Sequence, residues 1–127
     1  MTFTGKGEHI LLVDDEDSVS KMLKQMLETL NYKITRFTSS SEALEHYKMK
    51  PCDFDLIITD QSMPDLSGIS LIKNIREINS EQKVILISGY IDVAKDNDIK
   101  KLKVDSTLIK PVDMKIWSRK IRTVIDK

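Results

Sequence analysis

Apolar residues return along this chain in two rhythms. Short unbroken runs, Ile10-Leu11-Leu12-Val13, Leu56-Ile57-Ile58 and Val84-Ile85-Leu86-Ile87, alternate with longer stretches in which apolar positions recur every three or four residues. Branched residues in a short run predict a strand. The lack of polar alternation within those runs predicts strands covered on both faces, as in a parallel sheet. Strands are expected at about His9–Val13, Lys33–Phe37 (Ile34 its clearest apolar residue), Asp55–Thr59, Lys83–Ile87 and Thr107–Ile109.

The helical rhythm fills the gaps between them. Val19, Met22, Leu23, Met26, Leu27 and Leu30 form one stripe, with Asp17 or Ser18 as cap and Asn31 as stop. Ser39, Ser40 or Ser41 caps a second helix carrying Ala43, Leu44 and Tyr47, with Glu42 three residues after Ser39 as in a capping box, and Pro51 marks its end. A third helix runs from near Gly68 to about Ile78 with Ile69, Leu71, Ile72, Ile75 and Ile78. A polar fourth, 92–104, has only Val93, Ala94, Ile99 and Leu102 as apolar residues, and its lysines read as a solvated face. Asp113 caps the last, whose inner face is Met114, Trp117, Ile121, Val124 and Ile125, with Trp117 read as core. Five strands alternating with five helices predict an α/β fold: a parallel sheet with helices on both faces. Right-handed crossovers leave few topologies. A doubly wound sheet of order 2-1-3-4-5 sets strands one and three side by side at the switch point, where such sheets bind ligands.

That placement gives the polar residues at the strand ends their interest. Asp14-Asp15-Glu16 follows strand one, and Asp60 follows strand three before a loop forced by Pro64, Ser67 and Gly68. Asp14, Asp15 and Asp60 are expected to converge, at a cost of roughly 1 to 4 kcal/mol for each pair at about 4 Å. Such a cluster requires raised pKa values or a cation. Carboxylate oxygens with open water positions suit Mg2+. A metal beside a free carboxylate oxygen suggests phosphoryl transfer onto aspartate, which needs donors already in place for the phosphoryl oxygens. The Ser88 hydroxyl after strand four and the Lys110 ammonium after strand five supply them at the same edge, where Lys110-Pro111 restrains the backbone.

Composition narrows the rest. A chain of 127 residues fits one domain with a core of its own. Lysine plus arginine equals aspartate plus glutamate, 20 each, which is no footprint of a nucleic-acid binder. The single cysteine, Cys52, excludes an internal disulfide and reads as a small residue near a helix–strand loop. No apolar run approaches the ~20 residues of a membrane span, and no signal-peptide core opens the chain, so a cytoplasmic domain without membrane contact is expected. Residues 1–7 read as a flexible lead-in and 8–127 as the domain. Gly5 and Gly7 precede a strand and lack a third glycine, so they are no phosphate loop.

From about Glu8 to Lys127 the chain resembles the receiver domains of two-component response regulators. The matching pieces are Leu12-Val13-Asp14-Asp15-Glu16, Asp60-Gln61-Ser62-Met63-Pro64 with Gly68, Ile87-Ser88-Gly89, and Lys110-Pro111. The resemblance implies a flavodoxin-like receiver fold. It makes Asp60 the phosphoacceptor, Asp15, Asp60 and the Ser62 backbone carbonyl direct Mg2+ ligands, and Asp14 a ligand through water, with Ser88 and Lys110 on the phosphoryl oxygens. It implies a histidine kinase or histidine phosphotransfer domain as donor, with slow hydrolysis of the acceptor phosphate, and a downstream protein or fused output domain as target. Two features depart from the pattern or stay open. Thr107 stands where the family usually has Tyr or Phe, which puts in question the aromatic relay to the helix after strand four and to strand five. Ser62 and Tyr90 occupy positions that tune phosphoryl lifetime, and no direction follows for this pair.

Competing readings remain on the sequence alone. An aspartate-nucleophile phosphatase of the haloacid-dehalogenase kind would carry Asp-x-Asp after strand one, whereas here the pair is adjacent. A phosphorylation-independent pseudo-receiver would lack an acidic position, and none is missing. Flavin binding is disfavoured because the loop after strand one is acidic. The chain reads as a stand-alone regulator or as a receiver cut from a larger protein, and the Gly5–His9 lead-in is similar to linkers before receivers in hybrid histidine kinases.

Overall fold

The computed structural model describes residues 4–89 and 100–127. Five strands, β1 (His9–Val13), β2 (Lys33–Phe37), β3 (Leu56–Asp60), β4 (Val84–Ser88) and β5 (Ser106–Ile109), form one parallel sheet in the order 2-1-3-4-5. Four helices lie among the described residues: α1 (Asp17–Thr29), α2 (Ser40–Met49), α3 (Gly68–Ile78) and α4 (Met114–Ile125). Of the helix expected over 92–104, residues 92–99 lie outside the described residues; Lys100 and Lys101 are helical and 102–103 turn.

The unbroken apolar runs become strands because successive side chains point to opposite faces and both faces are covered. Ile10, Leu12, Ile58, Ile85 and Ile87 pack with Leu23 and Leu27 of α1 and Trp117, Ile121 and Val124 of α4. Leu11, Val13, Ile57, Val84 and Leu86 pack on the other face with Ala43, Leu44 and Tyr47 of α2 and Leu71, Ile72 and Ile75 of α3. Burying each large apolar side chain contributes roughly 1.5–3 kcal/mol, more than the ~1 kcal/mol span of strand propensity, so two-sided burial decides these strands.

Several expected details shift. β3 and β4 each begin and end one residue later than expected, so Asp60 and Ser88 are the last residues of their strands, and β5 begins one residue earlier, at Ser106. Neither Asp17 nor Ser18 caps α1. Glu16 occupies the cap position without a side-chain bond, and Asp17, already helical, pairs with Lys21 and Arg36 at 3.0 and 2.8 Å. Met22 is exposed rather than part of the inner stripe, since Ser20, Leu23 and Leu27 take the buried arc. Asn31 stops α1 with φ +72°, a left-handed conformation that asparagine tolerates. Among the three serines, Ser39 is the cap of α2 and accepts the Glu42 amide; Asp113 caps α4 through the amides of Lys115 and Ile116.

Residues 4–8, expected mostly as lead-in, are hydrogen-bonded to the domain. The Gly5 and Gly7 amides donate to the carbonyls of Leu30 and Asn31 at 2.6 and 2.8 Å, and Arg122 donates to Glu8 at 2.6 Å. The glycines have a steric reason: a Cβ at Gly5 would enter the Tyr32 ring, and Gly7 has φ +84°. Among the described residues, no helix is long and apolar enough to cross a membrane.

Candidate functional site

Strand register brings the polar strand ends to one edge. Val13 pairs with Thr59, so Asp14 leaves β1 beside Asp60 at the end of β3. Asp60 pairs with Ile87, Ser88 ends β4 opposite Ile109, and Lys110 follows directly. One oxygen each from Asp14, Asp15 and Asp60 lies within 4.8 Å of the others. Asp14 is fully buried, Asp60 is 4% exposed, and Asp15 is exposed.

Lys110 is the ammonium facing them. Its Nζ donates to Asp60 Oδ2 at 3.3 Å and stands 3.6 Å from Glu16 Oε1 and 3.9 Å from Asp14 Oδ2. Among the described residues Lys110 is the one cation facing these carboxylates, which leaves an excess of negative charge. Burial, with the Asp60 charge adding to it, pushes the Asp14 carboxyl up to about 6. Burial also raises the Asp60 carboxyl from its ordinary value, against the pull of Lys110. For Lys110, burial works against the charge, but Asp60 and Asp14 hold the ammonium above its ordinary value.

The Asp14 carboxylate also carries a specific deficit. Oδ1 accepts the Glu16 amide at 3.0 Å, while Oδ2 is buried without a hydrogen-bond partner among the described residues. A buried acceptor left unpaired costs roughly 1–3 kcal/mol, and more when charged. A hard cation, bound directly or through water, removes both the repulsion and the orphaned oxygen. An all-oxygen donor set of this kind fits Mg2+.

The remaining expected residues fall at different distances from this chemistry. Ser88 is half-buried at the end of β4, and its carbonyl accepts the Lys110 amide at 3.2 Å. Ser62 is exposed in the loop 61–67 after Asp60. Thr107 sits within β5 opposite Leu86, and its carbonyl accepts from Lys120 Nζ of α4 at 3.0 Å. Tyr90 lies outside the described residues.

Two neighbours were given no role from sequence. Glu16, visible only as part of an acidic run, shares Lys110. Gln61 is buried directly after Asp60; its amide donates to Ile87 O at 2.9 Å, its carbonyl accepts the Gly68 amide at 3.0 Å, and its Oε1 accepts the Ile69 amide at 2.9 Å. A polar residue next to a buried strand end is the only sequence signal for it.

Gly68 completes the frame. A Cβ there would overlap the backbone carbonyl of Asp60 and come within 2.7 Å of Leu86 Cδ1. Gly68→Ala should therefore lower stability by about 1–3 kcal/mol, the usual cost of overpacking, despite the helix preference of alanine. Urea denaturation checks this, and unchanged stability would mean that the strand end yields easily.

Residues 10–122 match the family model described as response regulator receiver domain. The response regulator receiver protein CpdR of Brucella abortus is 31% identical over 108 residues, covering 85% of this chain and 88% of that protein. The chain spans only 15% of the 3',5'-cyclic-nucleotide phosphodiesterase regA of Dictyostelium discoideum (31% identical over 91% of this chain) and 12% of the sensor kinase CckA of Brucella abortus (29% over 93%). Among solved structures, a response regulator receiver domain protein from Clostridium thermocellum superposes with TM-score 0.88 at 29% identity, covering 94% of both chains. The response regulator TrrA of Thermotoga maritima in complex with Mg(2+)-BeF superposes with TM-score 0.79 at 27% identity, covering 92% of this chain and 98% of that one.

Proposed function

The chain belongs to the response regulator receiver domains of two-component signalling systems, and from this premise we propose that it accepts a phosphoryl group on Asp60 and signals by a change of conformation. The observation that carries the proposal is the convergence of Asp14, Asp15 and Asp60 within 4.8 Å, with Lys110 Nζ 3.3 Å from Asp60. A phosphohistidine on a histidine kinase or histidine phosphotransfer domain is the donor. An Asp60 carboxylate oxygen forms the new P–O bond as the P–N bond to that histidine breaks. Asp15, Asp60 and the Ser62 carbonyl would hold Mg2+ directly and Asp14 through water. When bound, the ion neutralises charge on the carboxylates and the phosphoryl oxygens. The complex of the Thermotoga regulator with Mg(2+)-BeF supports extending the ion to this site. Lys110, already beside Asp60, turns to a phosphoryl oxygen, and the Ser88 hydroxyl donates to another. The output is a downstream protein or a fused output domain, as the longer relatives suggest.

Incubation with acetyl phosphate and MgCl2, followed by intact-mass measurement, tests this. One phosphoryl mass per chain with stoichiometric consumption is the expected result. Continuous consumption without an adduct would instead identify a turnover phosphatase.

Asp15→Asn should weaken Mg2+ binding more than Asp14→Asn, because Asp15 is the exposed carboxylate taken as a direct ligand. Calorimetric titration with MgCl2 measures it, and equal affinity in Asp15→Asn and wild type would count against the metal assignment. Thr107 has no ring to swing between buried and exposed positions, so response across β5 should be small. Amide NMR with and without a phosphoryl mimic and Mg2+ should show large shifts at the strand-end loops and Tyr90, fading across β5 and α4. Shifts over β5 equal to those at Asp60 would show that signalling needs no aromatic.

A further inference from the structure

The loop 61–67 leaves Asp60 and carries Ser62, yet among the described residues its far end is restrained largely from the start of α2, a helix that places no side chain at the acidic cluster. Asp65 accepts three hydrogen bonds from the cap and first residues of α2: from the cap Ser39 Oγ to Oδ2 at 2.9 Å, from the Ser41 amide to Oδ2 at 2.9 Å, and from Ser40 Oγ to Oδ1 at 2.6 Å. Ser40, fully buried, has two acceptors for its hydroxyl hydrogen, Asp65 Oδ1 at 2.6 Å and the Leu66 carbonyl at 2.9 Å, and its oxygen accepts the Leu66 amide at 2.9 Å. The near end of the loop is held by Gln61, which bonds the amides of Gly68 and Ile69. Hydrogen bonds from Ser40, then Ser41 and Ser39, hold the Asp65 carboxyl well below the usual carboxylate range, so it is charged at any pH where the domain works.

We propose that Asp65 and Ser40 form a clamp that fixes the loop 61–67 against α2 and thereby positions the Ser62 backbone carbonyl for a cation at the Asp60 site. Asp65 is a positioning residue, and this role rests on the phosphoacceptor reading of that site. A backbone carbonyl can serve as a ligand only if its loop holds one conformation, because a misplaced oxygen cannot meet the short, near-octahedral geometry of Mg2+. Partners one shell out from a metal typically change its affinity 10- to 100-fold when removed.

The test compares Asp65→Ala, Ser40→Ala and Leu44→Ala, the last weakening α2 from its buried face without removing any of the hydrogen bonds that hold the loop. Amide hydrogen exchange over 61–67 reads the clamp, MgCl2 calorimetry reads its consequence, and thermal melting reads overall stability. Asp65→Ala and Ser40→Ala should speed exchange in 61–67 and weaken Mg2+ affinity about tenfold. Leu44→Ala should lower the melting temperature at least as much while leaving affinity within about twofold. Unchanged loop exchange in Asp65→Ala would overturn the clamp, whatever the wild type does with Mg2+. Faster exchange with unaltered affinity, or an affinity loss in Leu44→Ala that tracks melting temperature, would overturn the positioning role. A wild type that binds no Mg2+ would sink the metal reading itself, and the positioning role with it, while the exchange data still judge the clamp.

Discussion

Asp60→Asn is expected to abolish phosphorylation by acetyl phosphate while leaving the fold intact. The side chain keeps its shape and its place at the end of β3, but the amide replaces a carboxylate oxygen that must attack phosphorus. Nearby carboxylates are poor substitutes. Asp14 is fully buried, with one oxygen already taken by the Glu16 amide, and Asp15 is exposed and is not among the carboxylates paired with Lys110. Labelling should fall by at least about a thousandfold, on the scale seen when a nucleophile is removed. Intact-mass measurement after incubation with acetyl phosphate and MgCl2 is the readout. A full adduct on the variant would move the acceptor to another residue, which peptide mapping would then locate.

Asp14→Asn is expected to stabilise the metal-free domain by about 1–3 kcal/mol at pH 7, taking 1.36 kcal/mol per pKa unit. The Asp14 carboxyl is pushed up to about 6 from 3.8, chiefly by burial. The folded state thus favours the neutral acid, and between those values it binds more protons than the unfolded chain. Stability linked to this group is greatest below 3.8, declines as pH rises toward 6, and stays reduced above it. Asparagine keeps the Oδ1 acceptor for the Glu16 amide and removes the ionisation. The stability difference between variant and wild type should therefore be small near pH 4, grow through pH 6, and level off above. Mg2+ should narrow the gap by stabilising the ionised wild type. Urea melts across pH without metal measure it. A difference that does not change with pH would mean that Asp14 is not ionised at a cost in the fold.

Much of this site is legible along the chain because its members are defined by one local rule. A polar residue placed directly after an apolar, β-branched run stands at a strand end, and in a parallel sheet all such ends meet at one edge. Asp14, Asp60, Ser88 and Lys110 follow that rule. Gln61, Glu16 and Asp65 do not announce themselves, since each acts through partners that no local pattern reveals: Gln61 through the start of α3, Glu16 through Lys110, and Asp65 through serines 24–26 residues away. Element ends moved by a residue for a similar reason. Propensity at a boundary is worth a few tenths of a kcal/mol to about one, so tertiary contacts of similar size suffice to move it, and at the start of α1 Asp17 is helical and pairs with Arg36 instead of capping.

The sequence by itself determined the alternation of strands and helices, the two-sided burial of the sheet and the set of residues at its carboxyl edge, because periodicity and unbroken apolar runs are local properties that burial rewards by several kcal/mol. Only the tertiary structure decided which of these carboxylates is buried and orphaned, how one lysine is shared among three acids, and that glycine is required at position 68 by the carbonyl of Asp60. Those features depend on distances of 3 to 4 Å between segments far apart in the chain, where Coulomb and steric terms change steeply. They follow from how the strands pair and helices pack, not from any single stretch of residues.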